Sequence, residues 1–282
     1  RCLHRGTGPH VPGHANDRQR DEPFGNYLRA SSRQSSSRPP CPHLHSCRGI
    51  AYGRASNDWY GIYPRFSCRS QGKRPTVLTL EEGVGPITVA IEWQEDSPAY
   101  VQMTQPLPIF GARFTDAEVM ARMLSVEPRA ITETGLPMEV VSCGVPFLFV
   151  PLQRLQDVRS VQFRLDVWEQ ALHGFEAPQV FVFTQETETS AARVHCRAFA
   201  PALGIREDPA TGGASGPLGC YLLKHGLITA DARGEAHCLS EQGFEMGRPS
   251  FLHITITQTN GTISKVQVGG QCYLMGEGCL FL

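Results

Sequence analysis

The sequence has 282 residues, of which 41% are hydrophobic and 19% charged, and its formal net charge is -1. This length suits one large domain or two of ordinary size, and the apolar content can fill a core. The near-neutral charge excludes a basic nucleic-acid binder and a polybasic membrane-surface protein. No apolar run reaches the roughly 20 residues of a membrane-spanning helix, and no basic-then-apolar signal segment opens the chain. We therefore expect a cytoplasmic protein with no nucleic-acid or membrane partner.

Residues 1–74 differ in composition from the remainder of the chain. The first lysine is Lys73, and Asp58 is the only acidic residue between Glu22 and Glu81. Arg, Ser, Pro, His and Cys dominate this segment, and they show no clean helical or strand period. So few branched aliphatic side chains cannot offset the entropy lost on folding. We predict that this segment does not form an ordinary hydrophobic core.

From residue 75 onward, regular elements are predicted in chain order. They are strands at residues 77–80, 87–93, 140–141, 147–150, 180–183, 194–199 and 253–257, and a short amphipathic helix at 165–173. Thr115 as N-cap with Glu118 in a capping box predicts a further helix start. The end of the chain, residues 266–280, predicts a hairpin around Gly269 and Gly270. Many short strands and few helices predict an α+β fold with a mainly antiparallel sheet.

The segment after Phe199 contains the densest candidate chemistry. A strand leads into an acidic turn at Asp208, and a Gly-rich loop follows. The next helix is predicted at residues 214–224, with Pro217 in its first turn and Gly226 at its C′ position. Its small residues allow tight burial, so we predict a central, nearly buried helix.

The start of this helix is a candidate binding site. Its unpaired amides, from Thr211 through Gly212 and Gly213 to Ala214, act with the helix dipole to form a site suited to a carboxylate. Asp208 lies just before them and would face the same ligand. The alternative is that Asp208 only caps a turn and that the glycines only permit one, because a lone Gly-rich turn is weak evidence for a site.

Several motifs together carry a resemblance to a known family. They are Glu207-Asp208-Pro-Ala-Thr-Gly212, Val140-Val-Ser-Cys-Gly-Val-Pro-Phe-Leu148, Arg197-Ala-Phe-Ala-Pro-Ala202, Gln242-Gly-Phe-Glu-Met-Gly-Arg-Pro-Ser250 and Val268-Gly-Gly270. From about residue 75 to the end, the chain resembles the PhzF-like isomerases of phenazine biosynthesis. The resemblance implies a diaminopimelate epimerase-like fold, in which two similar domains each curl an antiparallel sheet round a central helix. It places the active site in the cleft between the domains.

The same resemblance implies an activity and a division of the chain. The activity is cofactor-independent, metal-free isomerisation by proton transfer on a small carboxylate or amino-acid-like substrate, by a homodimer. Asp208 is the implied catalytic residue. The implied substrate-binding residues are Thr211, Gly212, Gly213 and Ala214. Residues 75–110 would be a remnant of the N-terminal domain and residues 111–282 the C-terminal domain, with the last strand a candidate to return to the first.

Two departures from the family pattern bear on activity. The family usually has Ser where this chain has Gly213, which keeps a backbone amide but loses a hydroxyl donor. Thiol-using relatives have Cys near this loop, so Gly213 also argues against a two-thiol racemase. The family's catalytic Glu and its Gly-His-Pro-Thr loop are both missing in frame. We therefore expect the chain as given to be catalytically inactive.

A shifted reading frame accounts for the missing motifs. Degenerate back-translation of residues 45–62, read from the second base, permits a sequence close to the missing Gly-His-Pro-Thr loop. Residues 14–21 in the same frame permit a family-like helix, and residues 27–32 read from the third base permit Leu-Ser-Glu-Ser. Our hypothesis is that residues 1–74 are largely an out-of-frame translation. An unbroken gene encoding them, supported by peptides from the expressed protein, would contradict it.

Two other functions stay open at this point. A non-catalytic small-carboxylate-binding module would use the loop at Asp208 alone. A zinc-binding arm fused to a PhzF-like half would use Cys41, His43, His45 and Cys47. One-residue spacing is tighter than the usual separation of zinc ligands, so we expect no metal site there.

The other reactive side chains have structural interpretations. His195 alternates with its neighbours on a predicted strand and is expected to be structural. Glu245 and Arg248 are expected to form an ion pair or to brace a loop. The cysteines from Cys143 onward form no C-x-x-C pair and lie mostly in apolar surroundings, so we expect buried free thiols.

Overall fold

A computed structural model describes residues 76–94, 97–172 and 174–273. The strands are β1 (Thr76–Glu82), β2 (Gly85–Gln94), β3 (Ser97–Gln105), β4 (Ile109–Phe114), β5 (Met138–Ser142), β6 (Pro146–Pro151), β7 (Gln179–Thr184), β8 (Val194–Ala200), β9 (Ile205–Asp208), β10 (Glu235–Gln242), β11 (Ser250–Thr259) and β12 (Thr262–Gln271). The helices are α1 (Ala117–Leu124), α2 (Arg129–Thr132), α3 (Leu155–Ser160), α4 (Leu165–Leu172) and α5 (Gly212–Lys224). The hypothesis of a shifted frame and the possible zinc ligands from Cys41 to Cys47 fall outside the described residues.

The described strands form one 12-stranded sheet in the order β1-β2-β3-β12-β11-β10-β8-β7-β6-β5-β4, with β9 paired to β8. Neighbours are antiparallel except for β10 with β8 and β6 with β7. The predicted α+β class with a mainly antiparallel sheet is therefore confirmed. The division into two domains stays a prediction.

Strand β6 shows how the sheet buries both of its faces. Phe147 and Phe149 pack into the cluster round α5, whereas Leu148 and Val150 pack into a second cluster with α1 and α4. Successive side chains of a strand point to opposite faces, so β6 is apolar at every position. The four helices α1 to α4 thus lie on the face of the sheet opposite α5.

Helix α5 is buried almost all round, as predicted. It packs against strands from two separate parts of the sheet order, which are β5 and β6 in one part and β11 and β12 in the other. A Cβ at Gly219 would lie 2.5 Å from Ile254 Cγ2, and one at Gly216 would lie 2.7 Å from Val266 Cγ1. Glycine is therefore required where the helix approaches β11 and β12. Gly226 ends the helix with a φ of +72°, as its predicted C′ position requires.

Two predicted helix starts are wrong by one or two residues. The N-cap of α1 is Asp116 rather than Thr115, because Asp116 Oδ1 accepts a hydrogen bond from Val119 N at 2.9 Å. Helix α5 begins at Gly212 rather than residue 214, so Pro217 lies inside it and not in its first turn. Proline lacks an N–H and limits backbone hydrogen bonding there.

The predicted hairpin around Gly269 and Gly270 is also wrong. Both glycines lie within β12, which is paired with β11 on one side and β3 on the other. The turn comes earlier, at Asn260 and Gly261, whose φ values are 53° and 76°. Two successive positive φ values make a turn that matches the twist of paired strands, and Asn-Gly is its preferred sequence. The remainder of the predicted hairpin, from residue 274, lies outside the described residues.

Within the described ranges, no helix has the length and apolar character needed to cross a membrane.

Candidate active site

Strand β9 and helix α5 bring the predicted site residues together. Asp208 ends β9 and Thr211 is the N-cap residue of α5, and both are buried. The Thr211 hydroxyl donates to Asp208 Oδ2 at 2.7 Å. The Asp-Pro-Ala-Thr-Gly segment is therefore a closed turn, with a carboxylate held against the start of a buried helix.

The amides at the start of α5 are less free than the sequence predicted. Thr211 N–H donates to Gln242 Oε1 at 3.1 Å, and Ala214 N–H donates back to Thr211 O at 3.2 Å. Within the described part of the chain, Gly213 N–H has no hydrogen-bond acceptor. Of the predicted amides, Gly213 N–H is thus the best candidate to meet an anion.

Two buried glutamines brace this turn, and the sequence analysis assigned neither of them a role. Gln242, at the end of β10, donates through Nε2 to Asp208 O at 2.6 Å and to Thr211 Oγ1 at 3.0 Å. Gln105, at the end of β3, donates to Gly212 O at 2.9 Å. Gln242 opens one of the motifs of the resemblance, which was an available signal. Gln105 had no such signal.

The turn after Gln242 packs directly on the site. Gly243 has a φ of +82°, and a Cβ there would lie 2.6 Å from Pro209 O. Glycine is therefore needed both for the backbone conformation and for the close approach. The motif that begins at Gln242 and the motif at Asp208 are therefore in direct contact in the fold.

The family model for phenazine biosynthesis-like proteins, PhzC-PhzF, matches residues 65–278. The chain belongs to this PhzF-like family. The trans-2,3-dihydro-3-hydroxyanthranilate isomerase of Pseudomonas fluorescens is 30% identical over 205 residues, which cover 73% of this chain and 67% of that protein. The match begins before the predicted junction between residues 74 and 75.

Solved structures support the PhzF-like fold. A phenazine biosynthesis protein of the PhzF family from Bacillus anthracis has a TM-score of 0.60 and 23% identity, over 70% of this chain and 66% of that chain. A predicted epimerase from Pseudomonas aeruginosa has a TM-score of 0.56 and 28% identity, over 74% of this chain and 70% of that chain. The chain thus spans about two thirds of the length of these relatives.

The PhzF-like chain also contains a buried histidine between two carboxylates. His195 Nδ1 lies 2.9 Å from Glu241 Oε1, and Nε2 lies 2.9 Å from Glu245 Oε1. Glu245 therefore pairs with His195 and not with Arg248. Desolvation lowers the pKa of His195, but the hydrogen bonds with Glu245 and Glu241 outweigh it, so the pKa is raised. Desolvation likewise raises the pKa of Glu245, yet its hydrogen bond with His195 produces a net lowering.

This His195 cluster lies apart from the candidate site. Cys196 and Ala198, which alternate with His195 on β8, pack into the cluster round α5. His195 therefore points to the opposite face of the sheet. Glu241 fastens a loop there, because its carboxylate also accepts from Thr189 N at 3.1 Å and Thr189 Oγ1 at 2.7 Å.

The cysteines of the described residues are all free thiols, and Cys272 differs from the prediction because it is only partly buried. Cys143, Cys196, Cys220 and Cys238 are buried free thiols, as predicted. Burial raises the pKa of Cys238 to about 12. A thiol with such a pKa is not a nucleophile near neutral pH. In the part of the chain that the structure describes, no group of three or more His, Cys, Asp or Glu residues is arranged to hold a metal ion.

Proposed function

We propose that this chain contains the C-terminal half of a PhzF-like isomerase site, which works by proton transfer without a cofactor on a small carboxylate or amino-acid-like substrate. The observation that carries the proposal is the Asp208–Thr211 turn, held by Gln242 at the start of α5. Family membership supports the reaction class, because a relative with 30% identity is named an isomerase.

We assign the roles of the individual residues from their charges and their positions in the turn. Gly213 N–H and the positive end of the α5 dipole attract the substrate carboxylate. Asp208 orients the substrate beside the carbon that exchanges its proton, and Thr211, Gly212 and Ala214 shape the turn that holds it. The base would be the glutamate of the first domain, whose pKa burial in a closed cleft would raise towards the working pH. That glutamate is missing in frame, so we propose that the chain as given is inactive.

Solvent isotope exchange tests both parts of this proposal. The full chain and a frame-repaired chain are each incubated with trans-2,3-dihydro-3-hydroxyanthranilate in deuterated water, and deuterium in the product is measured by mass spectrometry. We expect incorporation only with the repaired chain. Equal incorporation by both chains would contradict the proposed inactivity, and none with a folded repaired chain would contradict the isomerase assignment.

An Asp208→Asn substitution in the repaired chain tests the residue assignment. We expect exchange to fall by about 100-fold or more, the scale of a lost acid-base or orienting group. Asp166→Asn is the matched control, because Asp166 is exposed and forms a surface ion pair with Arg164. An Asp208→Asn variant with unchanged exchange would remove Asp208 from the site.

A second candidate is a small-carboxylate-binding module without catalysis. The presence of the Asp208 turn without the family's glutamate in frame favours it. Calorimetry with anthranilate, a stable amino carboxylate, separates the two functions. Binding by the full chain that Asp208→Asn abolishes, without isotope exchange even after frame repair, would favour the module.

Assembly as a homodimer likewise stays a proposal. Sedimentation of the full chain at several concentrations tests it, and a concentration-independent monomer would contradict it.

A further inference from the structure

The hydrogen bonds of the Asp208–Thr211 turn have a direction that backbone groups fix. Thr211 N–H can only donate, so the end of the Gln242 amide that faces it is the oxygen, at 3.1 Å. Asp208 C=O can only accept, so the end that faces it is the nitrogen, at 2.6 Å. The orientation of the Gln242 amide is therefore determined without any assumption about protonation.

The Gln242 amide in turn fixes the Thr211 hydroxyl. The Gln242 NH2 group has two hydrogens, of which one goes to Asp208 O and the other to Thr211 Oγ1 at 3.0 Å. A hydroxyl that accepts from Gln242 has its single hydrogen left to donate. Its remaining neighbour is Asp208 Oδ2, at 2.7 Å. Asp208 Oδ2 must then be the acceptor of this hydrogen bond.

We infer that Gln242 is a positioning residue of the site, which orients the Thr211 hydroxyl so that Asp208 meets a ligand as a hydrogen-bond acceptor. Asp208 Oδ1 has no hydrogen-bond partner among the described residues and is the oxygen left for the ligand. The group that meets it must be a donor, such as an ammonium or a hydroxyl. This inference deepens the proposed function and rests on it for the identity of the ligand site.

Burial makes this relay of hydrogen bonds specific. Gln242 is fully buried and Thr211 is 4% exposed, so water does not compete for these groups. Buried polar groups that lose a partner are costly. The hydrogen bonds therefore have one favourable arrangement, in which Gln242 donates to the Thr211 hydroxyl and the Thr211 hydroxyl donates to Asp208.

Exchange of the Thr211 hydroxyl proton tests the inference without any substrate. In an equal mixture of H2O and D2O, a slowly exchanging threonine hydroxyl splits its own 13Cβ signal into two, whereas a fast one gives a single averaged signal. We expect two signals for Thr211 in the full chain. We expect one signal in Gln242→Met, which keeps side-chain length but neither donates nor accepts. Gln179→Met, at another buried glutamine, is the matched control and should leave both signals.

Asp208→Ala is the second variant, because it removes the acceptor and leaves Gln242 bonded to the backbone. It should also give a single signal. A single Thr211 signal in the native chain, with a slowly exchanging Thr211 amide, would overturn the inference. So would two signals in Gln242→Met or in Asp208→Ala. A failure of isotope exchange to substrate would instead count against the proposed function and leave this result intact.

Discussion

Residues next to each other in β10 belong to two separate networks. Glu241 is opposite His195 and Gln242 is opposite Cys196 in the pairing of β10 with β8. Neighbours on a strand point to opposite faces, so Gln242 braces the turn beside α5 whereas Glu241 braces the far side of the sheet. The two networks share backbone, but among the described residues no side-chain hydrogen bond joins them.

The His195 cluster predicts a specific dependence of stability on pH. The pKa of His195 is raised on folding, so its contribution is complete below the unfolded pKa of about 6.5 and is lost as pH rises through the folded pKa. The pKa of Glu245 is lowered on folding, so the pH dependence of its contribution is the opposite. The stability that Glu245 contributes is lost only as the pH falls through the pKa of Glu245 in the folded state. We therefore expect the free energy of unfolding to decrease as the pH rises above the unfolded histidine pKa of about 6.5, which urea titrations at each pH can measure.

Two substitutions assign that decrease to His195. His195→Gln should flatten the slope and lower stability by about 3 kcal/mol, because it leaves buried carboxylates without their cation. His237→Gln, at an exposed histidine, should keep both the slope and the stability. An unchanged slope in His195→Gln would contradict the prediction.

At the scale of elements, α5 can pack closely against the sheet because Gly216 and Gly219 have no side chains. We predict that Gly219→Ala destabilises the protein by about 1–3 kcal/mol, the usual cost of overpacking a core. Its Cβ would meet Ile254 and Ile256, which belong to the same buried cluster. Gly83→Ala is the control, since a Cβ at Gly83 meets nothing within 4 Å. Denaturant midpoints measure both, and equal losses would refute the steric explanation.

The alternation of apolar and polar residues in the sequence predicted the strands that have one buried and one exposed face. Ile87, Val89 and Ile91 are buried at every second position of β2, so its period was readable in the sequence. The Asn260-Gly261 turn was equally readable but was missed, because the later Gly269-Gly270 pair was taken as the turn. Glycines inside a strand instead permit close packing, and the ring of Tyr100 lies over Gly269.

The polar contacts of the site were beyond sequence patterns. Gln242 meets Thr211 across 31 residues and Gln105 meets Gly212 across 107. No local period encodes such distances, because they arise only when strands pair. The motif at Asp208 gave the position of the site, whereas the partners that orient it required the fold.

On the scale of the whole molecule, β12 joins the first three strands of the sheet to the remaining strands. It pairs with β3 from the beginning of the described chain and with β11 from its end. Gln105 adds a contact to α5 from the same side. Residues before and after β4 therefore share one continuous set of hydrogen bonds, and we predict that they unfold together.

Single-tryptophan variants test this prediction. Trp93 lies in β2, near one end of the sheet order, whereas Trp168 lies in α4 and packs against the cluster that includes β6 and β7. With the other tryptophans, including Trp59, replaced by Phe, each variant reports unfolding from one region. If unfolding is cooperative, the fluorescence midpoint of each variant should equal the midpoint that far-UV circular dichroism gives for the same variant. The midpoints of the two variants should then differ only because the substitutions change stability by different amounts. Fluorescence and circular dichroism transitions that separate within one variant would contradict it.

The position of β12 between β3 and β11 also determines when the sheet can close during synthesis. Gln102 is joined to Gln267 at 2.9 Å across 165 residues of sequence. At a translation rate of about 5–20 residues per second, β3 emerges on the order of ten seconds before its partner. During that interval the edge of β3 is unpaired, and unpaired edges promote association between chains. A nascent chain of this protein is therefore vulnerable to aggregation through β3 until its β12 residues leave the ribosome.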